Sequence, residues 1–354
     1  MNPVEQVLAL VRPEILALAP YSSARKESKG GRVWLDANEN PETPSVHKPL
    51  FNRYPDPQPP GLIERLATLY GVSPAQALVT RGSDEGIDLL LRTFCRAGQD
   101  AILITPPTYG MYVVAAGIQN ARVVSVPLVR EKDFALDADA VLKAITPEVK
   151  IVFLCSPNNP TGNLLERAAV LKIVRSLAGK AVVAVDEAYV DFSGVPSLAG
   201  EIAANPNLIV LRTLSKAFGL AGARVGTTIA DPAVIAVLQK VIAPYPVPAP
   251  VLLAALAALT PAGLEAARAS VAGIVTERTR LAAALAKLPA VKRVWPSDTN
   301  YILIEVADSA RVMAAGRAAG IIWRDRSKDV SNTIRLTVGT AEENNSTLEV
   351  LSRV

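Results

Sequence analysis

The sequence predicts an α/β protein, with a mostly parallel sheet covered by helices on both faces as a large domain and a smaller α/β domain after it. Three observations carry that expectation. From about residue 77, short apolar runs alternate with longer amphipathic segments. The Pro-rich stretch "APYPVPAPV" (243–251) then breaks the alternation, and helical and strand patterns resume beyond it. A strand followed by a crossover helix brings the next strand back parallel, and the helices cover the faces, so strands in such a sheet read as unbroken apolar runs. The 354 residues exceed a typical single domain, which suits one large unit and one smaller one.

Taken in order, residues 1–50 hold an amphipathic helix and the loop "LDANENPETP", too little for a core, and are expected to pack on the second domain or on a partner chain. The large domain is placed at 51–245. Its strands are read at 77–80 "ALVT", 101–104 "AILI", 123–126 "VVSV", 151–155 "IVFLC", 181–186 "AVVAVD" and 208–211 "LIVL", with helices such as 84–96 and 164–177 between many of them. The small domain is placed at 246–354, with helices to about 288 and strands at 301–306 and 333–338. The apolar stretch 247–264 is mostly alanine and is interrupted by Pro248, Pro250 and Pro261, so no membrane span is expected. The start carries Glu5, Arg12 and Glu14 through its apolar run and lacks a basic leader, which is unlike a signal peptide.

Charge and composition narrow the chemistry. The 37 Lys and Arg are scattered among 33 Asp and Glu, without a basic block, so nucleic acid is a poor partner and a local phosphate site a better use of the +4 surplus. Cys95 and Cys155 sit in a helical and a strand pattern as small core residues. With the single histidine, His47, in a Pro-rich loop, neither a metal cluster nor a Ser/His/Asp triad is expected.

Ligands of largely parallel sheets sit at the carboxyl ends of the strands. Four polar stations stand there: "VTRGSDEG" (79–86), "SPNNPTG" (156–162), "DEAYVDF" (186–192) and "RTLSKAF" (212–218). An ammonium at the mouth of an apolar strand, Lys216, is penalised by desolvation, which lowers its pKa and makes it a nucleophile able to form a Schiff base; alone, it reads equally as a surface lysine closing a strand. Asp186 ends an apolar run and needs a cation if charged, unless it merely caps a helix or pairs with an arginine. Asn159, before Pro160 and Gly162, sits on a rigid turn that aims an amide outward. Ser83 and Asp84 open a helix, where free N–H groups favour an anion, although both are ordinary capping residues. Tyr109 in "TPPTYGMY" can stack on a flat ring or fill the core. Neither G-x-G-x-x-G nor G-x-x-x-x-G-K-[ST] occurs, which counts against a nicotinamide or ATP enzyme.

In this order "GSDEG", Tyr109, "NNPTG", "DEAY" and "SKAFGLAGARVG" resemble the fold type I pyridoxal-phosphate enzymes, in their aminotransferase group. The resemblance runs from "APYSSAR" (19–25) to "TIRLTVG" (333–339), and "LDANENP", "RYPDPQP", "WRD" and "IRLTVG" are similar to the histidinol-phosphate aminotransferase family. It implies pyridoxal 5'-phosphate as cofactor, held covalently by Lys216, with Asp186 on the ring nitrogen, Asn159 and Tyr189 on the phenolic oxygen and Tyr109 stacked on the ring. The cofactor phosphate would rest on Ser83 and Asp84 through their backbone, on Ser215 and Arg224, and on Tyr54 from a second subunit. Arg224 and the cofactor would lower the Lys216 pKa, and Lys216, Asp186 and Tyr109 would be the catalytic set. Tyr21, Asn38, Arg324 and Arg335 would hold the substrate. Many relatives have Asn-Gly ahead of "SDE"; this chain has Arg81-Gly82. The implied activity is transfer of the amino group of L-histidinol phosphate to 2-oxoglutarate by a cytoplasmic homodimer. The alternatives are an aromatic amino acid aminotransferase, a threonine-phosphate decarboxylase, or a regulator built on the same scaffold, for which 1–50 offers no helix-turn-helix pattern.

Overall fold

The structure is a computed structural model that describes residues 1–19, 34–42 and 51–354. Its large sheet has seven strands: β1 (Ala77–Thr80), β2 (Ala101–Ile104), β3 (Arg122–Ser125), β4 (Val149–Cys155), β5 (Val182–Asp186), β6 (Leu208–Thr213) and β7 (Gly226–Ile229), in the spatial order β1–β7–β6–β5–β4–β2–β3. The pairs β2–β3, β2–β4, β4–β5 and β5–β6 are parallel, as the alternation predicts. β7 departs from the sequence expectation. It runs antiparallel to both β1 and β6, and "GTTI" carries too little apolar character to read as a strand until two neighbours supply its ladder.

Alternate residues of one strand feed two separate cores. Val183 and Val185 of β5, with Leu208 and Val210 of β6, join Leu62, Leu66, Val170 and Val174 from the helices Pro60–Tyr70 and Arg167–Ser176. Val182, Ala184, Ile209 and Leu211 point the other way and join Ile87, Leu90 and Phe94 of the helix Gly82–Phe94. Burial on both faces explains why these strands read as continuous apolar runs rather than as alternation.

Residues 3–16 depart from the expected packing. Val7 and Val11 are buried in the same cluster as Leu89, Val234 and Leu238, so the helices Pro3–Leu8 and Pro13–Leu16 lie on the large layer rather than on the second domain. The helix Pro232–Val241 presents Val234 and Leu238, four residues apart on one face, to them. Arg12 Nη1 donates to the Arg92 carbonyl at 2.9 Å and Lys240 Nζ to the Leu16 carbonyl at 2.8 Å, which pins both ends of the helix Pro13–Leu16.

The second sheet has β8 (Val291–Val294), β9 (Tyr301–Val306), β10 (Arg324–Asp325) and β11 (Thr333–Thr337), antiparallel in the order β10–β11–β9–β8. The sequence points to β9 and β11 but not to β8 or β10, whose short charged stretches carry no apolar pattern. Ile302, Ile304, Ile334 and Leu336 cover one face with Leu281 and Leu285 of the helix Pro261–Leu285. Leu303, on the opposite face, packs with Trp295 and Val330 into the core of the large layer. That opposite face therefore closes over the large sheet and makes a cleft. The helices Ala249–Ala258 and Pro261–Leu285 are bent by 73°, and among the described residues no single helix is long and apolar enough to cross a membrane.

Candidate active site

Strand register assembles the site. Cys155 of β4 lies opposite Asp186 of β5, and Asp186 lies opposite Leu211 of β6, so the segments following these strands converge at one edge. Gly226 of β7 lies opposite both Thr80 and Thr213 and carries the start of the helix Gly82–Phe94 against the sheet. A Cβ at Gly226 would stand 2.3 Å from the Gly82 carbonyl carbon and 2.5 Å from the Ser83 nitrogen, so only glycine lets the helix start approach this closely. Gly82 has φ +73, and a Cβ there would meet Arg224 Nη2 at 2.6 Å.

A cavity of about 110 Å³ opens where these segments meet. Nine residues singled out from the sequence line it: Ser83, Asp84 and Tyr109, then Asn159, Asp186 and Tyr189, and after β6 Ser215, Lys216 and Arg224. Cys155, Ala188 and Thr213 line it too. These three have no chemical signature in the sequence, and Cys155 reads there as core, which it is.

The two adjacent acids of "DEAY" have different environments. Glu187 is buried and accepts from the Ser197 hydroxyl and the Leu198 amide, with Arg212 Nη1 at 3.6 Å. Asp186, 2% exposed, accepts from the Tyr112 hydroxyl at 2.9 Å and the Ala188 amide at 3.1 Å, and among the described residues no cation stands within ion-pair distance of it. Burial pushes the Asp186 carboxyl up to about 6; the two hydrogen bonds oppose that rise. Tyr112, the partner of Asp186, is a residue that sequence reasoning missed. The signal was the second tyrosine of "TYGMY", one helical turn after Tyr109. Tyr112 is fully buried, stacked on Phe153 at 4.7 Å.

Lys216 Nζ lies 5.6 Å from the centre of the Tyr189 ring. Burial lowers its pKa first, then the charges of Arg335 and Arg224, while Asp84 and Asp186 act against them. The sequence reading named Arg224 and overlooked Arg335, because 119 residues separate Lys216 from Arg335 in the chain. Arg224, at φ 56, gives Nη2 to Asp84 at 3.0 Å and Nη1 to Ser215 Oγ at 3.3 Å. The Tyr109 hydroxyl donates to the other Asp84 oxygen at 3.0 Å. Asp84 is thus paired with Arg224 at the helix start. Arg81 pairs with Glu85 at 2.6 Å on the outside, so the departure at position 81 does not enter the cavity.

The substrate candidates lie on the small sheet. Arg335 of β11 sits opposite Arg324 of β10. Arg335 Nη1 donates to Asn159 Oδ1 at 2.6 Å and its guanidinium lies 5.0 Å from the Tyr301 ring centre, while Nε is buried without a hydrogen-bond partner among the described residues. Tyr301 meets Tyr189 edge-on at 5.2 Å, which completes a contact path from Lys216 to Arg335. Arg324 and Asn38 are exposed, the latter with φ 54. Tyr54 is 51% exposed, stacks on Tyr245 at 4.6 Å and does not line the cavity of its own chain. Tyr21, like His47, lies outside the described residues.

The family described as aminotransferase class I and II matches residues 31–351. The chain belongs to that family. This aminotransferase is 47% identical to the histidinol-phosphate aminotransferase of Stenotrophomonas maltophilia (strain R551-3) over 99% of its own length and 97% of the relative's. Its fold is similar to that of the histidinol-phosphate aminotransferase from Clostridium acetobutylicum, at TM-score 0.78 and 22% identity, covering 86% of this chain and 90% of that one. It is also similar to the Sinorhizobium meliloti histidinol-phosphate aminotransferase in complex with pyridoxal-5'-phosphate, at TM-score 0.77 and 24% identity, covering 86% and 83%.

The cavity suits the cofactor of that family. An amine of lowered pKa, a buried carboxylate lacking a cation, and a guanidinium with a serine hydroxyl beside a helix start are what an aldehyde, a protonated ring nitrogen and a phosphate require.

Proposed function

We propose that this aminotransferase exchanges the amino group of L-histidinol phosphate with 2-oxoglutarate, as a cytoplasmic homodimer holding pyridoxal 5'-phosphate. The observation that carries the reading is the Arg324–Arg335 pair, facing the large layer and joined to the cavity through Asn159. A phosphorylated donor needs an anion grip beyond the one that holds the cofactor's own phosphate, and two guanidiniums on one face supply it. The names of relatives at 47% identity over nearly the whole chain point the same way.

In this reading Lys216 would supply the amine that holds the cofactor and would also move the proton away from the donor's Cα. Pyridoxal phosphate, when bound, supplies an aldehyde for the amino group and an electron-withdrawing ring. Asp186, oriented by Tyr112, would hold the ring nitrogen and keep it protonated. Asn159 and Tyr189 would hold the ring through its oxygen, and Tyr109 would pack against it. Ser83 and Asp84 through their amides, with Ser215 and Arg224, hold the cofactor phosphate. Arg335 and Arg324, with Tyr21 and Asn38, hold the substrate.

Steady-state assays with histidinol phosphate and phenylalanine as donors test the reaction. Histidinol phosphate should win in kcat/KM by at least about tenfold, since two guanidiniums on one face, that of Arg335 half-buried, discriminate against donors that leave them under-compensated. A preference for phenylalanine would reassign the enzyme to aromatic amino acids.

Tyr54 is assigned to the partner's cofactor phosphate, because it is exposed and away from its own cavity. Mixed dimers of Tyr54→Phe and Lys216→Ala chains should recover activity through one intact site. Heterodimers without any recovery would remove Tyr54 from the partner's site.

A further inference from the structure

β10 ends at Asp325, but its ladder runs one residue further, because the Arg326 amide donates to the Thr333 carbonyl at 2.9 Å. Side chains two apart on a strand share a face, and so do directly opposed residues on neighbouring strands. Arg324, opposed to Arg335, therefore shares its face with both Arg335 and Arg326. The same face carries Leu303, opposed to Arg335, which packs into the core of the large layer. Three guanidiniums thus line the side of the small sheet that closes the cleft.

Their counter-charges are few. Arg326, with its side chain 16% exposed, has Nε 2.9 Å from Asp329, which is itself 34% exposed. Glu305, on this face beyond Thr333, is taken by Arg130 at 2.9 Å. Among the described residues no carboxylate stands within ion-pair distance of Arg324 or Arg335, and Arg335 spends a donor on the neutral amide of Asn159. Burial pushes the Arg326 guanidinium below its usual range, Asp329 opposes that, and the charges of Arg335 and Arg324 push further the same way. Three cations against one carboxylate suit a dianion better than a monoanion. A phosphate monoester carries about −1.5 to −2 near neutral pH, whereas a carboxylate carries −1.

We propose that Arg326 is a specificity-determining residue of the substrate-anion site, a third guanidinium that turns from Asp329 toward the phosphate of the donor. This rests on the reading of the donor as phosphorylated. Asp329 then competes with the phosphate for Arg326, so the carboxylate tunes affinity downward while keeping the guanidinium in place between turnovers.

The test uses the holoenzyme and inorganic phosphate as a competitive inhibitor against whichever donor the enzyme accepts. Arg326→Gln should weaken phosphate inhibition on the order of tenfold, the loss of one charge-assisted contact, and should raise KM for histidinol phosphate more than it lowers kcat. Arg326→Lys keeps the charge and should retain most of the inhibition. Asp329→Asn should act in the opposite direction and strengthen inhibition by about threefold, because it frees the guanidinium. If Arg326 only braces the hairpin, breaking the ion pair from either side moves phosphate inhibition the same way or not at all, and the proposal falls. It also falls if phosphate does not inhibit the parent enzyme. Should histidinol phosphate prove not to be a donor while the two variants still move phosphate inhibition in opposite directions, the donor assignment fails and the role of Arg326 at an anion site stands.

Discussion

Lys216→Ala should reduce turnover by roughly 10⁴-fold or more, because one amine both holds the cofactor and relays the proton, and positioned proton transfer alone contributes about 10²–10⁴. The protein should still fold and bind cofactor without the covalent link, since Asp186, Ser215, Arg224 and the helix start remain. The parent treated with borohydride should carry the cofactor on a peptide containing Lys216, and the variant should carry none. Burial first, and then the charges of Arg335 and Arg224, lower the Lys216 pKa, which favours the neutral amine that a covalent link requires. Label on another lysine, or a variant that turns over within a few-fold of the parent, would remove Lys216 from the chemistry.

Asp186→Asn should slow the reaction by roughly 10²–10³, the range for loss of a preorganised electrostatic group. The same change should stabilise the cofactor-free protein at neutral pH. The Asp186 carboxyl is raised from 3.8 to about 6 in the fold, so the folded state holds its proton more tightly than the unfolded chain. Below about pH 4 both states are protonated and the group costs nothing. Between about pH 4 and 6 the unfolded chain ionises while the fold does not, so stability falls as pH rises, and above about 6 the loss is complete. Thermal unfolding of the cofactor-free proteins should show the parent losing stability relative to Asp186→Asn across that window. Added cofactor should reverse the order at pH 7, because only the carboxylate pairs with the ring cation. A parent that stays the more stable without cofactor at pH 7 would show that Asp186 already has a compensating partner.

The contrast within "DEAY" shows how far the chain could be read. Both acids end an apolar run, and nothing local distinguishes them. Alternation of a strand sends Asp186 into the cavity and Glu187 to the opposite side, beside Arg212, whose second contact is Asp191 at 2.7 Å. The polar stations were legible because each comes directly after an apolar run long enough to be a strand. Tyr112 was not, because a tyrosine in an amphipathic helix reads as core until its hydroxyl is seen 2.9 Å from Asp186.

By itself the sequence determined the parallel sheet, the edge that bears the chemistry and nine of the residues that meet there. The sheet, its edge and six of these residues come from local order, namely apolar period, turn residues, and the rule that residues just after a strand stand at its carboxyl end, whereas Tyr189, Ser215 and Arg224 come from the resemblance to a known family. Tertiary structure alone decided the rest. β7 and β10 are strands only because neighbours complete their ladders, and Gly226 is obligatory only because a helix start crosses it. Arg335 joins the field at Lys216, and Arg326 joins Arg335, through pairing between segments remote in sequence or separated by a hairpin. Charge acts through space, so the electrostatics of the cleft exist only once the small sheet has closed over the large one.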